Sequence, residues 1–248
     1  MKYVLLSVLS IFLLNCKNIE TEKRSAETIV NKSIEVTGAK NIVSSKISFD
    51  FRDKHYYANR NNGNFSYLRL TVDADNDSIF DVLSNEGFER HINDNETVFV
   101  EDSMKVRYSA SVNSVHYFSV LPYGLNDKAV NKTLLEDVVI NEQTYHTVKV
   151  TFNQDGGGED YEDEFLYWIN SETFKLDYLA YSYVEDDGLG LRFREAYNER
   201  YINDIRFVDY NNYKPKDVSV ALLELPNLFE TGQLKLLSKI ELEHVTVN

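Results

Sequence analysis

Two short basic motifs lie on stretches that have the alternating pattern of β-strands. One residue separates Arg192 from Arg194, and one separates Arg52 from Lys54. Side chains two apart on a strand point to the same side, and such a pair in a concave surface can bind a carboxylate or an anionic head group. The alternative interpretation is surface ion pairing, because the chain has 40 acidic residues.

Aromatic residues are the second feature suited to ligand binding. The chain has 17 Tyr and 14 Phe, many of them clustered on predicted strands. Their ring bodies are apolar and the tyrosine hydroxyls can orient a polar group, which suits an amphipathic ligand. Ordinary packing of a curved sheet is the competing explanation. The predicted ligand-contacting residues are Arg52, Tyr56, His116, Tyr117, Tyr167, Trp168, Tyr181, Arg192 and Arg194.

Metal-ligating patterns are weak. The histidines are scattered, without His-x-His or His-x₃-His spacing: His55, His91, His116, His146 and His244. Cys16 is the only cysteine, so no zinc-type motif can be built from the sequence. Residues 73–77, DADND, resemble the start of a calcium loop, but Ser78 and Ser84 stand where that loop needs Gly and Glu. We expect no metal and no cofactor.

Two further acidic stretches, residues 155–164 and 185–188, lie at predicted hairpin tips. If they converged at one rim, their carboxylates could hold Ca²⁺. Because hairpin tips are polar in most proteins, we expect solvated turns instead.

The motifs of common enzymes are absent from the sequence. There is no Gly-x-Ser-x-Gly elbow, and the single cysteine belongs to the N-terminal segment. A Schiff-base aldolase needs a lysine on a strand of a (β/α)₈ barrel, which the hairpin-rich pattern contradicts. The formal net charge of −14 opposes binding to nucleic acid. We predict a protein that is not an enzyme and does not bind nucleic acid.

The first sixteen residues have the organisation of an export signal. Lys2 precedes an apolar run over residues 3–14, which is too short to span roughly 30 Å of hydrocarbon. The run ends Leu-Leu-Asn-Cys at Cys16, which resembles the lipobox of bacterial lipoproteins. The resemblance implies a signal peptide over residues 1–15, a lipidated Cys16 and a tether over residues 16–24. Residues 25–248 then form a single domain.

The expected location is the cell envelope of a Gram-negative bacterium, with the protein anchored to a membrane by the lipid on Cys16. Lys17-Asn18 lacks the Asp linked in enterobacteria with inner-membrane retention, which favours the outer membrane. We expect a monomer, and the sequence indicates no particular protein partner.

The domain begins with a predicted helix and continues as short strands. Ser25 can cap a helix over residues 25–39, with Gly38 at its end. Asn62-Gly63 between two aromatic runs predicts a β-hairpin. Two further helices are predicted over 103–119 and over 218–234, the second interrupted near Pro226. Further predicted strands cover 79–83, 88–92, 97–100, 138–140, 145–152, 164–169, 175–184, 191–197, 205–210 and 237–247.

This order of elements predicts a mainly β, α+β fold. The strands form one large curved antiparallel sheet or incomplete β-barrel, because many strands in one sheet tend to curl. The N-terminal helix and one or two further helices pack in or over its concave face.

Two resemblances go beyond the periodicity. Residues 165–183, FLYWINSETFKLDYLAYSY, resemble the central hairpin of the LolA/LolB-like fold of lipoprotein carriers, which implies an incomplete barrel closed by helices. More narrowly, the chain resembles an uncharacterised family of bacterial lipoproteins. The segments that carry this second resemblance are FDFRDKHY at 49–56, SVNSVHYFSVLPY at 111–123, EDEFLYWIN at 162–170 and RFREAY at 192–197.

Three functional hypotheses remain open at this point. The leading one is an envelope lipoprotein that binds a lipid, an acyl chain or another amphipathic ligand in the concavity. The alternative is a structural or protein-interaction module whose helices fill the concavity. A third is an undetected hydrolase or lyase that uses Glu195, Arg194 or His116.

Overall fold

The computed structural model describes residues 24–93, 96–155, 163–185 and 188–248. Cys16, the predicted signal peptide and most of the predicted tether lie outside the described residues. The helices are α1 (Ala26–Val36), α2 (Asp102–Phe118) and α3 (Leu225–Glu230), with short 3₁₀ helices at Ala39–Ser44 and Leu222–Glu224. The strands are β1 (Lys46–Phe51), β2 (Lys54–Asn61), β3 (Asn64–Val72), β4 (Ser78–Ser84), β5 (Gly87–Ile92), β6 (Glu96–Val98), β7 (Val130–Leu134), β8 (Val138–Ile140), β9 (Gln143–Phe152), β10 (Glu164–Asn170), β11 (Leu176–Glu185), β12 (Gly188–Ile202), β13 (Ile205–Lys214), β14 (Lys235–Ile240) and β15 (Glu243–Val247).

The strands form two antiparallel sheets. The first sheet has the order β15-β1-β2-β3-β4-β5-β6, and the second has the order β14-β13-β12-β11-β10-β9-β7, with β8 also on β9. The predicted mainly β class, with antiparallel strands, an N-terminal helix and further helices, is confirmed. The strands divide between two sheets instead of forming the single large sheet that was predicted.

Helix α1 begins and ends where the sequence indicated. The Ser25 Oγ accepts a hydrogen bond from the Thr28 N–H at 3.1 Å, and Thr28 Oγ1 accepts one from the Ser25 N–H at 3.0 Å. This reciprocal capping box satisfies backbone donors that the first turn leaves free. The buried stripe Ala26, Ile29 and Val30 packs on the second sheet. The helix is therefore fixed by a local cap and by its amphipathic pattern.

The predicted last strand over 237–247 is wrong, because this stretch is two strands in two different sheets. Strand β14 pairs with β13, and β15 pairs with β1. Between them, the Leu242 N–H donates to Asp209 Oδ1 at 3.0 Å, and Arg200 Nη2 donates to the Leu242 carbonyl at 2.6 Å. These bonds fix the crossing from one sheet to the other, and alternation of side chains cannot reveal them.

The predicted helical segment over 218–234 is also shorter than expected. It consists of the 3₁₀ helix at Leu222–Glu224 followed by α3, and Pro226 lies in the first turn of α3. A proline there costs little, because the first turn has no carbonyl partner for its N–H. Pro226 thus begins a helix rather than interrupting one. The helix predicted over 103–119 is confirmed as α2, and Asn62-Gly63 forms the β2–β3 hairpin with positive φ at both residues.

The two sheets and the helices share a packed interior. The inner face of the second sheet packs against α1 and against the end of α2, and its outer face packs against α3. The inner face of the first sheet carries α2. Ile205 and Phe207 of β13 join Ile47 and Phe49 of β1 in one apolar cluster, which connects the sheets. Within the described ranges, no helix combines the length and the apolar character needed to cross a bilayer.

Gly38, at the end of α1, lies directly against the backbone of Asp204. Its φ is +68°, and a Cβ at this position would lie 1.8 Å from the Asp204 carbonyl oxygen. Gly63 also has a positive φ, of +96°, but a Cβ there would meet no atom within 4 Å. The two glycines therefore differ in packing and not in the sign of φ.

We predict that Gly38→Ala lowers the free energy of unfolding by about 3 kcal/mol or more, because the left-handed conformation and the steric clash both act against it. Gly63→Ala is the matched control and should cost about 1 kcal/mol, from the backbone conformation alone. Urea unfolding of both variants measures the difference. Equal losses would show that the Asp204 contact is unimportant.

Candidate ligand-binding site

The last turn of α2 lies between the inner faces of the two sheets. His116 points to the first sheet and contacts Phe49, Tyr56 and Tyr67. Tyr117 and Phe118 point to the second sheet. This turn and the inner-face residues that it touches form the candidate site.

His116 is fully buried in an aromatic surrounding. Its ring centre lies 4.6 Å from that of Tyr67, 5.6 Å from that of Tyr56 and 5.9 Å from that of Phe49. Nε2 donates to the Leu68 carbonyl at 3.3 Å, and the buried Nδ1 has no hydrogen-bond partner. Burial, assisted by the nearby Arg60 charge, lowers the pKa of His116 to about 3. The imidazole is therefore neutral in the folded protein at ordinary pH.

Arg60 is a buried cation on the same inner face, with 4% of its surface exposed. Its Nε donates to the Tyr67 hydroxyl at 3.2 Å, and its Cζ lies 4.7 Å from the centre of the Tyr67 ring and 5.6 Å from that of Tyr123. Nη1 is buried without a partner. Among the described residues, no carboxylate forms an ion pair with Arg60, so its charge is balanced mainly by ring faces.

Two further arginines attach α2 to the first sheet and share one carboxylate. Arg69 Nη2 lies 2.6 Å from Asp81 Oδ2, and Arg90 Nε lies 2.6 Å from Asp81 Oδ1. Arg69 Nη1 donates to Ser111 Oγ of α2 at 2.7 Å, and the Arg90 guanidinium lies 4.0 Å from the centre of the Tyr108 ring. The group carries one surplus positive charge and holds the helix in place.

The Tyr117 and Phe118 side chains form the contact with the second sheet. The Tyr117 and Tyr167 hydroxyl oxygens lie 2.7 Å apart, and burial raises the pKa of both phenols. The Phe118 ring lies 5.4 Å from Tyr181 and 6.3 Å from Phe165. In this structure the end of α2 thus fills the apolar part of the concavity.

Arg194 is the cation of the second sheet and lies under Phe118. It is 8% exposed, and its Cζ lies 4.0 Å from the Phe118 ring centre and 5.1 Å from that of Tyr181. Nη2 donates to the Tyr181 hydroxyl at 2.8 Å, while Nε is buried and has no partner. Within the part of the chain that the structure describes, Arg194 forms no ion pair with a carboxylate. Its charge is therefore buried with no counter-ion from the described residues.

Arg192 continues this arrangement towards the end of the β11–β12 hairpin. It lies on the same face as Arg194 and directly opposite Tyr181 in the strand register. Its Cζ lies 4.8 Å from the centre of the Tyr183 ring, and it is only partly buried. Tyrosines on β11 and arginines on β12 thus form a ladder from the interior towards solvent.

The structure brings most of the predicted ligand-contacting residues together, in two groups around the end of α2. Tyr56 and His116 lie on the side of the first sheet. On the side of the second sheet lie Tyr117, Tyr167, Tyr181, Arg192 and Arg194.

Two predicted contacts do not belong to this site. Arg52 is exposed in the β1–β2 turn, over the Phe51 ring. Trp168 faces away from α2 and packs in the apolar cluster under α3, with Phe193 and Leu225. Neighbouring residues of a strand point to opposite faces, so Trp168 and Tyr167 cannot line one cavity.

Sequence reasoning missed two residues of the site, Arg60 and Asn212. Arg60 alternates with Ala58 and Tyr56 on β2, and this period of two was an available signal. Asn212 lies opposite Arg194 on β13, a pairing that follows only from the strand register.

The calcium-like stretch is a closed turn. Asp73 Oδ1 accepts the backbone N–H groups of Asp75 at 2.9 Å and of Asp77 at 3.0 Å, so this carboxylate closes its own loop. No group of three His, Cys, Asp or Glu side chains suited to a metal ion occurs in the described ranges. Residues 156–162 and 186–187, which belong to the other acidic stretches, lie outside those ranges.

Two open depressions lie at the edge of the second sheet rather than at this site. Their volumes are about 610 and 750 Å³, and both are lined by Arg24 and by Leu134 of β7. Their open shape and mixed polar lining differ from the aromatic interior next to α2.

We predict that His116 makes the protein less stable in acid. Because its folded pKa lies below its unfolded value of about 6.5, the unfolded state binds the proton first, and stability falls as the pH drops below 6.5. The loss should approach about 1.4 kcal/mol per pH unit until the folded pKa is reached. Urea unfolding of His116→Gln should show a shallower decline between pH 6.5 and 4 than the wild type. The control His91→Gln, at a partly exposed histidine, should keep the wild-type slope, and an unchanged slope in His116→Gln would contradict the prediction.

Comparisons with solved structures give likenesses at low sequence identity. A LolA superfamily protein from Nitrosomonas europaea has a TM-score of 0.49 and 11% identity, covering 91% of this chain and 92% of its own. A DUF1329 family protein from Desulfovibrio piger has a TM-score of 0.44 and 9% identity, covering 89% and 92%. A domain described as an outer membrane lipoprotein-sorting protein, from Vibrio parahaemolyticus, has a TM-score of 0.42 and 9% identity, covering 82% and 98%.

No curated protein matches the chain. A family model described as a family of unknown function, DUF6503, matches residues 2–242. The prediction of an uncharacterised family is thereby confirmed, and the chain belongs to DUF6503.

Proposed function

We propose that the protein is a non-catalytic envelope lipoprotein that binds an amphipathic anion. The acidic group of the ligand binds at Arg192 and Arg194, and its apolar chain lies along the aromatic inner face of the second sheet. The observation that carries the proposal is the buried Arg194 guanidinium, which has no counter-ion among the described residues.

The energetic cost of Arg194 supports this proposal. A buried charge without a partner costs several kcal/mol, because it loses its hydration. Cation–π contact with the rings of Phe118 and Tyr181 stabilises the charge by about 0.5–2 kcal/mol, which offsets only part of that cost. A carboxylate or phosphate within reach of Nε would supply both the missing charge and the missing acceptor.

The interior charge supports the same class of ligand. The chain is acidic overall, at −14. Yet among the described residues Arg60 and Arg194 are buried without ion pairs, and Arg69 and Arg90 share Asp81. An anion is therefore drawn to the interior although the exterior repels it. A neutral lipid would leave these cations unpaired.

The apolar chain of the ligand would compete with the end of α2. The rings of Phe152, Phe165 and Tyr181 line the inner face, and Phe118 covers those of Phe165 and Tyr181. Ligand entry therefore requires Phe118 to move, whereas the attachment of α2 to the first sheet through Arg69 and Arg90 can remain.

A second candidate function is a protein-interaction module without a small-molecule ligand. The observation in its favour is the contact between Tyr117 and Tyr167, which closes the concavity. Native mass spectrometry of the chain purified without detergent distinguishes the two. A lipid-mass adduct lost on organic extraction supports the binding protein, and a clean apo mass that persists after incubation with envelope lipids supports the interaction module.

We predict that Arg194→Met weakens binding of laurate about tenfold or more, because charge-assisted hydrogen bonds contribute about 1.5–3 kcal/mol. Residues 17–248 contain every described helix and strand, so displacement of a fluorescent fatty acid from this soluble form provides the measurement. The same variant should unfold at a urea concentration at least as high as the wild type, because an apolar side chain removes a buried unpaired charge.

Arg52→Gln is the matched control for this experiment. Arg52 also lies over an aromatic ring, at 4.9 Å from Phe51, but in an exposed turn outside the site. This variant should bind laurate as the wild type does. Equal laurate affinities for Arg194→Met and wild type would refute the proposed site.

The anchor is part of the proposal. We infer attachment through a lipid on Cys16, with the outer membrane favoured over the inner one, and action as a monomer. In a Gram-negative host, labelled palmitate should be incorporated into the full chain and into Asn15→Gly, but not into Cys16→Ser. Label that persists in Cys16→Ser would exclude lipidation at this cysteine.

A further inference from the structure

Asn212 lies beside Arg194 on the inner face of the second sheet. The two residues are directly opposite each other in the β12–β13 register, so their side chains share one face. Asn212 is 9% exposed, close to the 8% of Arg194. Two polar side chains, each more than nine-tenths buried, thus lie next to each other.

Each of these side chains keeps one polar atom without a partner. Asn212 Nδ2 donates to Ser238 Oγ at 3.2 Å, while Asn212 Oδ1 is buried and accepts no hydrogen bond. Arg194 Nη2 donates to the Tyr181 hydroxyl, while Nε donates to nothing. The site therefore offers one free donor and one free acceptor on neighbouring side chains.

A simple carboxylate satisfies only half of this pair. It accepts from Arg194 but has no hydrogen to donate to Asn212 Oδ1, and an unsatisfied buried acceptor is costly. A secondary amide has a carbonyl that accepts and an N–H that donates. An acyl amide that also carries an acidic group can donate to Asn212 Oδ1 through its N–H, and its acidic group can pair with the two arginines.

We propose that the ligand is an N-acyl amphiphile, in which a secondary amide joins the acyl chain to an acidic head group. Its amide N–H donates to Asn212 Oδ1, and its carbonyl and acid oxygens accept from Arg194 and Arg192. This inference rests on the proposed function, and it adds Asn212 as the residue that determines specificity for the amide.

Two available N-acyl ligands differ only at the amide nitrogen. N-lauroylglycine has the amide N–H, and N-lauroylsarcosine has a methyl group in its place. The soluble form of the wild type should bind N-lauroylglycine about tenfold more tightly than N-lauroylsarcosine, as expected for loss of one buried hydrogen bond. Laurate, which lacks the amide, serves as the reference ligand for the proposed function.

Asn212→Leu separates hydrogen bonding from branching, because leucine has the same branched arrangement of heavy atoms as asparagine but no acceptor. This variant should bind the two amides within about twofold of each other. The control Asn211→Leu changes the neighbouring asparagine, whose Nδ2 donates to Glu195 on the opposite face, and should preserve the tenfold preference.

The outcomes distinguish the two proposals. If laurate and both amides fail to bind the wild type, the proposed function fails, and this inference fails with it. If laurate binds but the two amides bind equally, a water molecule can satisfy Asn212 and the amide inference alone is overturned. A preference that survives in Asn212→Leu would likewise overturn it, because the discrimination would then be steric.

Discussion

Asp209 is the buried carboxylate on which the joining of the two sheets depends. It accepts the Leu242 N–H at 3.0 Å, Arg200 Nη2 at 3.0 Å and Asn198 Nδ2 at 2.6 Å. These bonds hold the short crossing between β14 and β15, so one continuous stretch of chain closes an edge of each sheet. The crossing acts together with the apolar cluster of β1 and β13, and the two hold the sheets on either side of α2.

The interior is built from two kinds of contact that differ in strength. On the first sheet, Arg69 and Arg90 tie α2 to Asp81 with charge-assisted hydrogen bonds, which are stronger than neutral ones. On the second sheet, the helix relies on one bond between phenol hydroxyls and on ring packing by Phe118. Arg194, which has no ion pair among the described residues, lies on the side of the weaker contacts. The end of α2 can therefore leave the second sheet more readily than the first, and it is there that a bound anion would balance a buried charge.

Local features of this fold could be predicted, and features that depend on distant partners could not. Ser25, Gly38 and Asn62-Gly63 act through their own backbone, and the structure has a cap, a helix end and a hairpin at these positions. The shared face of Arg192 and Arg194 follows from the alternation of side chains along a strand. The same rule places Trp168 and Tyr167 on opposite faces, although both were predicted to contact the ligand. The break after Ile240 depends on Asp209, and the pairing of Asn212 with Arg194 depends on the register of β12 and β13; neither is encoded within one stretch of sequence.

The unpaired interior arginines connect folding with binding. Replacing even a buried ion pair by apolar side chains of similar volume is often neutral or stabilising, by about 1–4 kcal/mol, and a buried charge without a partner lacks the attraction that such a pair gains. An interior that served only as packing would therefore be more stable with leucine or methionine in place of Arg60 and Arg194. Folding places these cations, at a cost, where ring faces balance them in part and an added anion would balance them further, so free energy lost in the unliganded protein becomes available as binding free energy. Conversely, the packing hypothesis gives no reason for two buried guanidinium groups with free donors, and it is on this point that the amphipathic-anion hypothesis explains more of the structure.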